Sequence, residues 1–219
     1  MLFNRLPKAV LWDMDGTLID SEPHWLKSER ELAVEHGKAW TEEDGKSLIG
    51  MSLKDSSEII AKKIESDLST DEIVQRLTSS VQNELSKEII WRPGAQELLR
   101  ELRRRGVKTA LVTMSLRSMA LQVVEAMGFD AFDVVVAGDD VVYGKPHAEP
   151  YLKAANLLGV APAECVAFED SISGILSAEA AGTKAVGIPN ILMIPNRPGR
   201  ILWDTLEGKT IKDLRNLYK

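Results

Sequence analysis

Ala9-Val10-Leu11-Trp12-Asp13-Met14-Asp15-Gly16-Thr17 is the stretch from which the rest of the chain can be read. Four apolar residues in a row, without polar alternation, predict a short strand buried on both faces, as in a parallel sheet. The acids and the glycine that follow end the strand and place polar groups at its carboxyl end. Four later segments repeat the apolar pattern, at 107–112, 134–137, 165–168 and 184–188. Between them, helical spacing is predicted at 116–127, 148–158 and 171–181, closed by Gly128, Gly159 and Gly182. Strands alternating with helices imply right-handed crossovers, and so an α/β core with helices on both faces of a parallel sheet.

Between the first strand and the second lies a different texture. Helical spacing runs through 23–36, 42–48, 53–66 and 70–87 with few strand signals, and Ser69-Thr70-Asp71-Glu72 is a capped helix start. A further helix at 94–105 leads back to the second strand. Residues 1–20 and 92–219 are therefore expected to form one discontinuous core, with 21–91 inserted as a small α-helical cap domain. Pro23 and Trp91-Arg92-Pro93-Gly94 are the expected hinges.

Ligands of open parallel sheets bind at the carboxyl ends of the strands. Asp13, Asp15, Gly16 and Thr17 follow the first strand, and Thr113 and Ser115, flanking Met114, follow the second. Lys145 sits in the loop after the third, and Glu169 and Asp170 follow the fourth. Carboxylates gathered that closely cannot all stay ionised without a cation, and Lys145 is the one nearby ammonium. A hard divalent ion, most simply Mg²⁺, answers both this conflict and the repulsion between a carboxylate nucleophile and a phosphate dianion. Asp13 is the candidate nucleophile. Asp15, two residues on, is the candidate acid and base, and Thr113, loop N–H groups and Lys145 are the candidate phosphoryl ligands.

This arrangement resembles the haloacid dehalogenase superfamily. Asp13-Met14-Asp15-Gly16-Thr17-Leu18 is similar to its first motif, and Leu111-Val112-Thr113 with Ser115 to its second. Gly144-Lys145-Pro146 with Pro150-Tyr151 resembles the third, and Phe168-Glu169-Asp170-Ser171 with Gly174 the fourth. The resemblance implies a Rossmann-like core and an aspartyl-phosphate on Asp13. It implies metal ligation by Asp13, the Asp15 backbone carbonyl and Asp170, with Glu169 in or beside the shell. Gly16, Thr17, Met114 and Ser115 would then line the phosphate site. Asp20-Ser21-Glu22-Pro23 and Leu48-Ile49-Gly50-Met51-Ser52 look like the subgroup that holds beta-phosphoglucomutase and sugar-phosphate phosphatases, which makes Glu22, Trp25 and Ser52 candidate substrate contacts. Leu53 stands where that mutase carries an arginine, and Trp25 where it carries a histidine; both departures favour hydrolysis over isomerisation. The alternatives are a phosphosugar mutase and, more remotely, a non-hydrolytic phospho-receiver built on Asp139-Asp140 or a binding scaffold.

The remaining signals are bland. A formal net charge of -6 argues against nucleic acid or anionic membrane as partner, leaving a small phosphorylated metabolite. Apolar residues make up 44%, enough for a real core. The lone Cys165 reads as core, and with no secretory segment and no long apolar run it gives a cytoplasmic expectation; a monomer is the expected state. Trp40, Trp91 and Trp203 read as structural and His36 as a surface residue. His147 reads as a loop residue, and Arg103-Arg104-Arg105 as a solvated helix end. His24 stays open, as does Trp25 between packing and substrate wall. Glu169 and Asp170 could in addition cap the helix that follows them.

Overall fold

The computed structural model describes residues 6–218. Residues 1–5 and 219, assigned to the core in the sequence reading, lie outside the described residues. Strands β1 (Ala9–Trp12), β2 (Lys108–Val112), β3 (Val134–Val136), β4 (Cys165–Glu169), β5 (Lys184–Gly187) and β6 (Ile201–Leu202) form one parallel sheet in the order β3-β2-β1-β4-β5-β6. The order runs outward from β1 in one direction and then in the other, so the switch point lies between β1 and β4. Trp12 pairs in register with Phe168, which sets Asp13 level with Glu169 across that switch point.

Successive residues of a strand face opposite sides, and the two apolar layers divide accordingly. Val10, Trp12, Val166 and Phe168 meet α5 (Ala95–Arg104), α6 (Arg117–Ala126) and α9 (Ile211–Asn216) on one side. Ala9, Leu11, Cys165 and Ala167 meet α7 (Glu149–Leu158) and α8 (Ile172–Ala180) on the other. Cys165 is buried in this second layer, and burial pushes its thiol up to about 12.

Helices α1 (Glu22–Glu35), α2 (Glu42–Lys46), α3 (Leu53–Ile64) and α4 (Thr70–Lys87) lie between β1 and β2 in the chain, and α4 packs on both α1 and α3. Thr41 and Ser69 start α2 and α4 with reciprocal capping boxes. The two segments that leave and rejoin the core pair with each other: Asp20 N–H donates to the Ile90 carbonyl at 2.8 Å, and Arg92 N–H to the Leu18 carbonyl at 3.0 Å. That pairing holds the two ends of the helical segment side by side where it leaves and rejoins the sheet.

Several expectations need correction. β6 and α9 were absent from the sequence reading, because a two-residue strand and a six-residue helix are too short to show a period. Arg103 is no solvated helix end. It pairs with Asp130 at 2.9 Å and Asp133 at 2.6 Å and donates to the Asp130 carbonyl, tying α5 to the loop before β3. His36 is half-buried at the end of α1, its ring hydrogen-bonded to the Leu32 carbonyl and Ser66 Oγ. Ser171, not Glu169 or Asp170, caps α8, accepting from Gly174 N–H at 3.1 Å. Among the described residues no helix is long and apolar enough to cross a membrane.

Candidate active site

The switch point gathers charge out of water. Asp13, Glu169 and Asp170 are all buried, and each offers an oxygen within 4.8 Å of the others. Lys145 Nζ donates to Asp13 Oδ1 at 2.6 Å and to the Val112 carbonyl at 3.0 Å, and it lies 2.6 Å from Glu169 Oε1. The Tyr151 hydroxyl, delivered by α7, also donates to Glu169 Oε1. Gly16, at φ +83°, turns the chain under this cluster; a Cβ there would stand 1.9 Å from Asp170 Oδ2, so only glycine fits.

One ammonium among three acids leaves the site short of positive charge. Burial, then the neighbouring Glu169 carboxylate, pushes Asp13 up to about 7 in spite of Lys145. Burial and the Asp13 charge hold Asp170 well above the usual carboxylate range. Burial would depress Lys145, but the charges of Asp13 and Glu169 outweigh it and raise the group above its ordinary value. Asp13 Oδ2 is fully buried and has no hydrogen-bond donor. An orphaned carboxylate oxygen beside two more acids fits a hard, oxygen-seeking divalent cation.

Asp15 turns away from that cluster. Its Oδ1 accepts from Ser21 Oγ at 2.6 Å and Trp25 Nε1 at 3.2 Å, both from the segment after β1 that enters the cap. Its Oδ2 accepts from Ser115 Oγ at 2.7 Å and Thr113 Oγ1 at 3.2 Å, both after β2. The Asp15 side chain thus stands outside the three-acid cluster, although the sequence reading gathered all four carboxylates at one edge. Thr113, fully buried, holds Asp15 and accepts from Ser115 N–H at 3.0 Å.

A cavity of about 90 Å³ opens beside these groups between core and cap. Glu22, Trp25, Met114 and Ser115, all named from sequence, line it. Gly16 and Thr17 are not among the residues that line it, and Thr17 Oγ1 is buried and without a partner. Ser52 caps α3, accepting from Asp55 N–H at 3.1 Å, and lines a neighbouring cleft instead. The sequence reading gave no role to Ser21, Tyr151 or Glu29. Glu22, Trp25 and Glu29 recur at three and seven residues on one face of α1, a spacing that could have brought Glu29 forward. Asp140 of the receiver alternative is paired with Arg117.

The sequence profile of the haloacid dehalogenase-like hydrolases matches residues 7–182. The chain is 32% identical over 180 residues to a phosphorylated carbohydrates phosphatase of Thermotoga maritima, covering 82% of this chain and 83% of the relative. It is 33% identical over 193 residues to hexitol phosphatase A of Escherichia coli, covering 83% and 82%. Among solved structures, a variant of CbbY from Rhodobacter sphaeroides in complex with xylulose-(1,5)bisphosphate superposes with a TM-score of 0.86 at 26% identity, covering 96% of this chain and 99% of that one.

Proposed function

The chain belongs to the haloacid dehalogenase-like hydrolases, and from that premise we propose that it is a phosphatase that hydrolyses a small sugar phosphate through an aspartyl-phosphate on Asp13. The observation that carries this reading is the meeting of Asp13, Glu169, Asp170 and Lys145 at the switch point of a parallel sheet, against a small cavity. The named relatives, phosphatases of phosphorylated carbohydrates and hexitols, support the substrate class.

The Asp13 carboxylate attacks phosphorus, and the P–O bond to the sugar breaks. Asp15 gives its proton to the departing oxygen, then takes one from the water that hydrolyses the aspartyl-phosphate. The hydroxyls of Ser21, Thr113 and Ser115 suit both protonation states of Asp15, because a hydroxyl donates to a carboxylate and accepts from a carboxylic acid. Trp25 Nε1 only donates and fixes the side chain's direction. Lys145 stands beside the nucleophile, where phosphoryl oxygens gather charge. Asp13 and Asp170, with Glu169 alongside, would hold Mg²⁺, whose charge offsets the repulsion between carboxylate and phosphate.

The mutase reading is disfavoured by the cavity wall. Leu53 lines it, and among the described residues that line it Lys145 is the one cationic side chain, with none from the cap to meet a second phosphate. Phosphate release from a panel of sugar, polyol and nucleotide monophosphates, with Mg²⁺ and with EDTA, tests the proposal. Mg²⁺-dependent release from sugar or polyol phosphates is expected. No release from any of them, or full activity in Asp13→Asn, would overturn it.

A further inference from the structure

Glu29 is a group of the cavity wall for which neither the core motifs nor the fold supplies a use. It lies two turns beyond Glu22 on α1, about 10 Å along the helix axis, and lines the same cavity. It is 6% exposed. Its Oε2 accepts from Trp40 Nε1 at 3.0 Å. Its Oε1 has no donor among the described residues. Gly45 of α2 packs against the same carboxylate: a Cβ there would come within 3.0 Å of Glu29 Oε2 and 2.5 Å of Leu26 Cδ1. A carboxylate fixed by an indole N–H on one oxygen and left without a donor on the other is a built acceptor, ready for a hydroxyl in the cavity it lines.

We propose that Glu29, held by Trp40, is a specificity-determining residue that accepts a hydrogen bond from the hydroxyl at the far end of the substrate, selecting a monophosphate with an uncharged, hydroxylated body and rejecting a second anionic group. This rests on the phosphatase reading above. The rejection follows from what faces the cavity. Glu22 and Glu29 face it from the cap, pushed by burial up to about 8 and about 7, so each is a neutral acid or a carboxylate and neither attracts an anion. Lys145, the one ammonium among the described residues that line the cavity, is engaged by Asp13 and Glu169. A second phosphate would meet carboxyl groups and no free cation. Leu48, Ile49 and Leu77 around the cavity also favour a hydroxyl over an ammonium, because an uncharged group costs less to take out of water into an apolar setting than a charged one. Burial pushes Glu29 up to about 7, and a hydroxyl partners either of its protonation states. The size agrees: about 90 Å³ has room for on the order of six waters, a short polyol body rather than a nucleoside.

The test uses the whole protein with Mg²⁺ and four probes: mannitol 1-phosphate, its 6-deoxy analogue, its 6-amino-6-deoxy analogue and mannitol 1,6-bisphosphate. In the wild type, kcat/KM for mannitol 1-phosphate is expected to exceed that for the 6-deoxy and 6-amino compounds by at least ~10-fold and that for the bisphosphate by ~100-fold. In Glu29→Leu the ratio of mannitol 1-phosphate to its 6-deoxy analogue should fall to near one. In Glu29→Gln, which keeps an acceptor and loses the charge, that ratio should persist while discrimination against the bisphosphate shrinks. Equal turnover of all four by the wild type, or preference for the amine or the bisphosphate, overturns the inference while leaving the phosphatase reading intact. The wild-type ratios need no variant to fold. p-Nitrophenyl phosphate, which has no distal hydroxyl, separates the two failures: if the wild type does not hydrolyse even this probe, the phosphatase reading fails and the inference falls with it.

Discussion

At the scale of single residues, the two aspartates of the first loop are chemically alike and separated in role by their neighbours. Asp13 is buried against Lys145 and has an orphaned oxygen; Asp15 is held by four side-chain donors. Asp13→Asn removes the nucleophile and is expected to cut phosphate release by at least ~10⁴-fold. Asp15→Asn should still form the phosphoenzyme and fail to discharge it, so intact-mass spectra after substrate addition should show protein one phosphoryl group heavier. Unmodified protein in that spectrum would deny the division of labour. Glu29 makes a second expectation at this scale. Burial raises it from 4.5 to about 7, so the folded state holds the proton more tightly than the unfolded chain does. Its favourable contribution is complete below pH 4.5 and is lost as pH rises through about 7, a swing of roughly 3 kcal/mol. Glu29→Gln, which imitates the protonated acid, should match the wild type in urea unfolding at about pH 4 and be more stable by up to ~3 kcal/mol at about pH 8. A difference independent of pH would show that the carboxyl is not strained by its burial.

At the scale of elements, cap and core meet where α4 packs on α6, where Trp25 of α1 donates to Asp15, and where the Gly50 loop reaches the start of α8. Gly50, at φ +78°, lets its carbonyl accept from Ser173 Oγ near the start of α8, and a Cβ there would stand 2.5 Å from that oxygen and 2.9 Å from Ser171. Gly50→Ala therefore collides with the core only when the cap is down. It is expected to lower kcat/KM by ~10–100-fold with a loss of about 1–2 kcal/mol in stability. Ser173→Ala removes one hydrogen bond without a collision, and about 1 kcal/mol corresponds to a ~5-fold loss. Steady-state kinetics that rank the two equally would sink this account of closure. The elements that could be read in advance are those whose signal is local. β1 is four apolar residues against an acid, and α4 begins at a Ser-x-x-Glu box. Lys145 and Asp170 were legible because their motifs sit at strand ends. Glu29 was not, because an acid on an amphipathic helix looks like any solvated one until Trp40 and Gly45 from a later turn close over it. Likewise the partners that hold the Asp15 side chain, Ser21, Trp25 and Ser115, come from two separate stretches of chain, and only the fold brings them together.

At the scale of the whole molecule, acidic groups cluster in a protein that already carries a formal net charge of -6. Asp13, Glu169 and Asp170 come from β1 and β4, the two strands that flank the switch point, so their mutual repulsion acts across the centre of the sheet. A divalent cation bound there would relieve that repulsion in the folded chain and find no such gathering in the unfolded one, so its binding free energy adds to stability. At a hundred-fold excess over Kd the gain is about 2.7 kcal/mol, which for a chain of this length corresponds to a rise in Tm of about 5–10 °C. EDTA should reverse the rise, and phosphatase activity should be lost and regained over the same range of Mg²⁺. Asp170→Asn removes one acid from the cluster, so it should be more stable than the wild type in EDTA and gain little from Mg²⁺. Calorimetric scans of both proteins with and without the ion decide the matter: if Asp170→Asn shows the full Mg²⁺ shift, the cation binds elsewhere, and the three acids at the switch point must be balanced by Lys145 and by their own protons.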